Sequence, residues 1–251
     1  MKMLEVHSLC KKFGGLDAVK DVSFAVNKGQ IKAVIGPNGA GKSTLFNLIS
    51  GTLAPTSGTV RFQGKLLTGL APYQIAQQKM ARTFQNIKMF AGMTALENVM
   101  VGRHIKSNAG FLSSMLTNPW CMREEQAIRD KAMELLERFG IAQYAHMDAQ
   151  NLAFGQQRAV ELARALALEP EILLLDEPAA GLNIYETAEL GRMIKDIRDM
   201  GVTVLLVEHD MSLIMDISDE IVVLCFGQKI AEDVPRGIQT NEEVIKVYLG
   251  E

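Results

Sequence analysis

Gly36-Pro37-Asn38-Gly39-Ala40-Gly41-Lys42-Ser43-Thr44 joins the strand-like run Lys32–Ile35 to a segment carrying Leu45, Leu48 and Ile49 on one helical face, with Gly51 placed to end it. The stretch holds Gly36-x4-Gly41-Lys42-Ser43, a complete P-loop in the strand–loop–helix setting that its chemistry requires. Glycines let successive backbone amides turn toward phosphate oxygens, and the N-terminus of the following helix adds a favourable dipole. Lys42 is then placed to neutralise the β- and γ-phosphates, and Ser43 to bind Mg²⁺. Taken alone, the motif specifies a nucleotide binder and no particular reaction.

A second motif supplies the reaction. Ile172-Leu173-Leu174-Leu175-Asp176-Glu177-Pro178 is an apolar strand ending in carboxylates. At the C-terminal end of such a strand Asp176 lies beside the Mg²⁺, and Glu177, one residue on, is placed to polarise an attacking water.

Around these motifs the periodicity predicts alternating elements. Leu4–Val6 and Val22–Val26 alternate apolar and polar residues as half-buried strands do; Thr59–Phe62 is another strand, and Pro72 opens a short helix through Gln78. From Thr94 to about Ala167 the pattern is helical. Thr94-Ala95-Leu96-Glu97 has capping-box spacing, and Glu124–Phe139 and Gln156–Leu168 carry apolar residues at helical intervals. The last third returns to strands at Ile172–Leu175, Val202–Val207 and Glu220–Cys225, with helices at Tyr185–Met200 and Asp210–Ile217 and a turn at Gly227-Gln228 into Ile230. The expected fold is α/β, with antiparallel N-terminal strands and a largely parallel sheet. It forms a single domain over 1–251, with a helical subdomain inserted at about residues 90–165. Ser107–Met122, which contains the only tryptophan, Trp120, fits neither pattern and reads as a packed loop or short helix, or as a partner-facing surface.

Composition narrows the function. With 26 Lys+Arg against 29 Asp+Glu the formal net charge is −3, which argues against an electrostatic grip on nucleic acid or anionic lipid. Hydrophobic residues at 48% and charged residues at 22% are the proportions of a soluble globular protein. The longest apolar run, Ile221–Phe226, is far short of the roughly 20 residues of a membrane span. The start of the chain has no apolar core of a secretory signal. Cys10, Cys121 and Cys225 lack metal-ligand spacing and read as reduced thiols of a cytoplasmic protein. Any membrane role therefore needs attachment through another subunit.

Taken in order, these motifs make the chain resemble the ATP-binding cassette (ABC) ATPases, the nucleotide-binding subunits of ABC transporters, over essentially its whole length. The resemblance implies a P-loop NTPase fold, the substrate ATP, the cofactor Mg²⁺ and further site residues. Phe13 matches the aromatic residue that stacks on adenine. Gln85, in Ala81-Arg82-Thr83-Phe84-Gln85-Asn86, matches the glutamine that senses Mg²⁺ and the attacking water. Leu152-Ala153-Phe154-Gly155-Gln156-Gln157-Arg158 matches the signature motif, which contacts ATP held by the opposite subunit. Ala180-Gly181-Leu182-Asn183 falls at the D-loop, and His209 at the switch histidine near the γ-phosphate. The implied assembly is two ATPase subunits packed head to tail, homo- or heterodimeric, docked on two permease subunits at the inner face of the membrane.

Thr83–Ile87, Asn151–Arg158, Glu177–Asn183, the insertion Ser107–Met122 and the ending Val247–Gly250 are similar to the ATPases of branched-chain amino-acid importers. Those systems add a periplasmic binding protein. The alternative within transporters is the ATPase of a lipid or lipopolysaccharide exporter. A chromosome- or repair-type ABC ATPase would need a long heptad insertion, a translation-type protein two cassettes, and a P-loop kinase would lack the signature and switch histidine. Two motifs depart from the family pattern. Ala153 and Phe154 replace the serine and first glycine of Leu-Ser-Gly-Gly-Gln, and Asn183 replaces an aspartate. Both bear on contacts across a dimer, so the site completed by this chain's signature is expected to be the weaker one.

Overall fold

The computed structural model describes residues 1–103 and 119–249. Residues 107–118 of the segment Ser107–Met122, the side chains of Trp120 and Cys121, and Gly250 lie outside that description. The chain divides into two compact units, Met1–Arg82 with Glu171–Glu251, and Thr83–Pro170.

In the first unit, β1 (Lys2–Phe13) and β2 (Leu16–Asn27) form a long hairpin, joined on the other side of β1 by β4 (Ser57–Phe62) and β5 (Lys65–Leu66) in the antiparallel order β2-β1-β4-β5. Both hairpin strands run well beyond the short alternating stretches the sequence marks. Register shifts between Lys2 and Leu4, Val6 and Leu9, Leu9 and Lys11, and Lys11 and Lys12 break the period of two that a strand otherwise prints into its sequence.

The second sheet has the order β10-β9-β3-β8-β7-β6. It contains β3 (Ile31–Ile35), β6 (Met80–Arg82), β7 (Ile172–Asp176), β8 (Thr203–Val207), β9 (Glu220–Cys225) and β10 (Gln228–Asp233). All neighbours are parallel except β9 and β10. Every residue of β3, β7 and β8 is buried, as continuous apolar runs in a doubly covered parallel sheet should be. The helices of this unit are α1 (Lys42–Ile49), α2 (Pro72–Gln77), α6 (Ile184–Asp199), α7 (Met211–Ile217), α8 (Pro235–Thr240) and α9 (Glu242–Leu249). The β9–β10 turn is Phe226-Gly227, one residue earlier than the sequence suggests, because Gln228 already pairs with Cys225. Both turn residues have positive φ, 45° and 77°, as tight hairpin turns that follow the sheet twist require.

The second unit holds α3 (Ala95–Arg103), α4 (Pro119–Arg138) and α5 (Phe154–Ala167), which pack on one another. The capping box at the start of α3 forms: Thr94 N–H donates to Glu97 Oε2 at 2.8 Å, and Glu97 N–H to Thr94 Oγ1 at 3.2 Å.

Lys32, Asp176 and Thr203 are the polar residues of β3, β7 and β8, and Lys32 is the most demanding to bury. Lys32 in β3 is 1% exposed, and its Nζ lies 2.7 Å from Glu220 Oε2 on β9, 2.5 Å from Glu232 Oε1 on β10 and 2.5 Å from the Ala25 carbonyl on β2. Burial pushes the Glu232 carboxyl up, but hydrogen bonds from Lys229 and Lys32 outweigh it and hold the group below the usual carboxylate range. A depressed folded pKa contributes stability that is present above the unfolded value and lost as pH falls through the folded one. Lys32→Ala should cost about 3 kcal/mol of unfolding free energy, the low end for a broken buried pair, since both carboxylates keep some water contact. Glu232→Gln should flatten the loss of stability on acidification below the carboxylate range. Urea titrations at a series of pH values read both effects.

Candidate functional site

Between β3 and α1 the chain turns through residues 36–41 under tight steric limits. At Gly36, φ +151°, a Cβ would stand 2.2 Å from the Leu224 carbonyl oxygen of β9; at Gly41, φ +98°, it would stand 2.4 Å from the Ala18 oxygen of β2. Only glycine fits either place. α1 begins at Gly41 without a side-chain cap, so no side chain competes for the amides of its first turn. Lys42 follows, 7% exposed, its Nζ donating to the Gly36 carbonyl at 2.6 Å and the Pro37 carbonyl at 3.0 Å. Burial pulls the pKa of this ammonium down, and the Glu177 carboxylate partly offsets that.

A cavity of about 420 Å³ opens over this turn, lined by Phe13, residues 38–44, Glu177 and Phe226 among others. Phe13 ends β1 half exposed, with Lys11 Nζ 5.1 Å from its ring centroid. Ser43 is exposed in the first turn of α1. Asp176 closes β7, buried, with Oδ2 2.7 Å from Nη2 of Arg82 at the end of β6. Arg82 is itself held by Ser50 Oγ at 2.5 Å.

Glu177 takes a left-handed φ of 46°, and its N–H donates to the Val207 carbonyl of β8 at 2.9 Å. The exposed His209 has Nδ1 4.0 Å from Glu177 Oε2 and 3.7 Å from Glu208 Oε2. Glu208, fully buried, accepts from the N–H groups of Ala179 at 2.6 Å, His209 at 2.9 Å and Asp210 at 3.3 Å. One carboxylate thus ties the segment after Glu177 to the segment bearing His209. Sequence reasoning missed both Arg82 and Glu208. The only local sign of either is a charge directly beside a named motif residue.

The first unit therefore brings together Phe13, residues 36–44, Asp176, Glu177 and His209. The second unit carries Gln85, Ala153, Gly155 and Gln156. Gln85 is exposed on the segment between Thr83 and α3. Ala153 stands at the start of α5, its N–H donating to Gln156 Oε1 at 3.1 Å.

The family model described as ABC transporter matches residues 19–180. The chain belongs to the ABC transporter family. A second model, described as branched-chain amino acid ATP-binding cassette transporter, matches residues 228–251. The cassette is 45% identical over 250 residues to the high-affinity branched-chain amino acid transport ATP-binding protein BraF of Pseudomonas aeruginosa, covering 99% of this chain and 98% of that protein. It is 44% identical, with the same coverage, to LivG of Escherichia coli, a protein of the same description. Among solved structures it resembles a nucleotide-free ATP-binding cassette from an ABC transporter, with a TM-score of 0.86, 32% identity and full coverage of both chains. It also resembles a cassette solved in its ADP conformation, with a TM-score of 0.87, 32% identity and full coverage of both. The expected P-loop α/β fold and ATPase class are those of this family.

The two crowded glycines give a direct check on the cassette's phosphate turn. Gly41→Ala should lower stability by about 2 kcal/mol or more through strain and the clash with Ala18, and abolish binding of a fluorescent ATP analogue. At Gly39, φ +80°, a Cβ meets nothing within 4 Å, so Gly39→Ala should lose less on both measures. Equal losses in the two variants would contradict the steric account.

Proposed function

We propose that this chain is the ATP-hydrolysing subunit of an importer for branched-chain amino acids. The observation that carries the reading is whole-length identity of 44–45% to proteins described as branched-chain amino acid transport ATP-binding proteins, joined to the C-terminal match at 228–251. Among the described residues no helix is long and apolar enough to cross a membrane. In this reading the cassette acts from the inner face through two permease subunits, with a periplasmic binding protein upstream. No nucleic acid takes part. In this reading 1–251 is a single cassette domain whose helical subdomain, at about residues 90–165, bears the signature; the compact unit Thr83–Pro170 supports it.

The roles follow from chemistry. Phe13 stacks on the base, and the amides of Gly36, Pro37-adjacent Asn38, Gly39, Ala40, Gly41, Lys42, Ser43 and Thr44 receive the phosphates. Lys42 exchanges neutral carbonyl partners for anionic phosphate oxygens, a stronger charge-assisted bond. Ser43, Asp176 and Gln85 are hard oxygen donors of the kind Mg²⁺ takes, and the ion, when bound, neutralises charge on the phosphates. Asp176 is oriented for this by Arg82. Glu177 orients or deprotonates the attacking water, and His209, within 4.0 Å of it, stabilises the γ-phosphate as charge develops. Ala153, Gly155 and Gln156 serve the ATP of the opposite cassette, packed head to tail. Hydrolysis then releases the pair, a two-state closure that a permease converts into alternating access.

Reconstitution with its permeases and binding protein should give ATP-dependent uptake of labelled leucine; ATP-driven lipid movement without uptake would overturn the substrate assignment. Glu177→Gln should keep ATP binding and lose turnover by about a hundredfold or more. Normal hydrolysis in that variant would remove Glu177 as the base. In the same background Ala153→Ser should tighten ATP-driven dimerisation about 10- to 150-fold in analytical ultracentrifugation, one charge-assisted hydrogen bond gained.

A further inference from the structure

α5 carries buried charges that the roles above leave unused. Arg158 and Glu161, one helical turn apart, have side chains only 1% and 3% exposed, with Nη1 2.5 Å from Oε2. Arg158 also donates from Nη1 to the Phe84 carbonyl at 3.4 Å and from Nη2 to the Gln85 carbonyl at 3.3 Å. Glu161 in turn takes a hydrogen bond from the Phe84 amide. One turn further, Arg164 Nη1 donates to the Lys88 carbonyl at 2.8 Å, and its guanidinium lies 5.4 Å from the centroid of the Phe90 ring. The main chain from Phe84 to Lys88 forms neither helix nor strand, and α5 supplies it with hydrogen-bond partners in succession.

A buried ion pair adds little net stability over an apolar pair of equal volume, because desolvation offsets the attraction. What this pair adds is geometry. The planar guanidinium fork grips two consecutive carbonyls and a carboxylate at once, and the carboxylate grips the Phe84 amide just ahead of those carbonyls. Both residues of the pair sit just after the first turn of α5, which bears Gly155 and Gln156 and starts at Ala153.

We propose that Arg158 and Glu161 are positioning residues for ATP hydrolysis, locking the backbone of Phe84–Gln85 to the signature helix so that the exposed Gln85 side chain moves only with that helix. The assignment rests on the proposed role of Gln85 at the cassette's own nucleotide. It makes that glutamine a reporter of whether the signature has engaged the ATP of the opposite cassette.

The test uses the full chain with Mg²⁺ and ATP. Arg158→Met combined with Glu161→Leu replaces the pair by apolar volume and should leave the fold and the Kd for a fluorescent ATP analogue within about twofold, while kcat falls at least tenfold. Arg158→Lys should show the same loss of kcat at unchanged Kd, because a point-like ammonium lacks the planar fork that spans the three acceptors. Unchanged kcat in a folded double variant overturns the proposal, and so does full activity of Arg158→Lys. Should the double variant unfold, Glu161→Gln decides: reduced kcat at unchanged KM supports the clamp, and wild-type kcat overturns it. Failure of the functional reading looks different, since the wild-type chain itself would then lack hydrolysis.

Discussion

Two backbone carbonyls fix the phosphate turn. The Leu224 oxygen of β9 presses on Gly36 and the Ala18 oxygen of β2 on Gly41, each close enough to exclude a Cβ. The β9–β10 turn closes the frame, its Gly227 N–H donating to the Ala40 carbonyl at 3.1 Å and its own carbonyl accepting from Lys20 N–H at 2.8 Å. The turn is thus held by the antiparallel and the parallel sheet together. Its amides stay available to a ligand because the bonds that brace it come from strands on either side. The same hairpin that supplies Ala18 ends β1 at Phe13, so one element both braces the turn and lines the cavity above it.

Buried charge sets the remaining geometry, and in nearly every instance it is matched. Lys32 has two carboxylates, Asp176 has Arg82, Glu208 has three amides, and Arg158 has Glu161. The first three join segments distant in sequence directly, and Arg158 does so through the Phe84 and Gln85 carbonyls, as a group that must not lose its partners in low dielectric can enforce. Lys42 is placed differently. Its direct hydrogen bonds go to neutral carbonyls, and burial already disfavours its charge. An ammonium so placed gains most when a polyanion arrives, so the fold keeps its attraction for phosphate unspent until then.

Local signals were legible in the sequence and long-range ones were not. The phosphate turn, the buried run of β7 and the capping box at Thr94 each rest on residues a few positions apart, so composition and spacing print them directly. β6 is three residues long and exists only through its pairing with β7, and β1 and β2 lose their alternation at register shifts. Phe226 is not a turn residue by type. Its positive φ accompanies a Gly227 tethered on both sides, so residue type alone puts the turn one residue late. Arg82, Glu208 and the Arg158–Glu161 pair owe their roles to partners that no periodicity brings together. The motifs are readable from spacing; the groups that orient their side chains are visible only in three dimensions.

The two departures from the family pattern are unequal in physical terms. Asn183 caps α6, its Oδ1 accepting from the N–H groups of Tyr185 and Glu186, each at 3.0 Å, while its own N–H donates to Glu186 Oε2 at 2.9 Å. Asparagine and aspartate are equivalent caps, so this exchange leaves the helix intact and removes only a charge. Ala153 has no side-chain oxygen to offer. α5 begins without a side-chain cap, and Gln156 reaches back only to the Ala153 N–H, which forgoes about 1 kcal/mol of helix stability relative to serine. A serine there would serve the helix and, in the proposed head-to-tail dimer, a phosphate as well. The weakness expected of the signature site therefore traces to position 153, whereas position 183 retains its structural work.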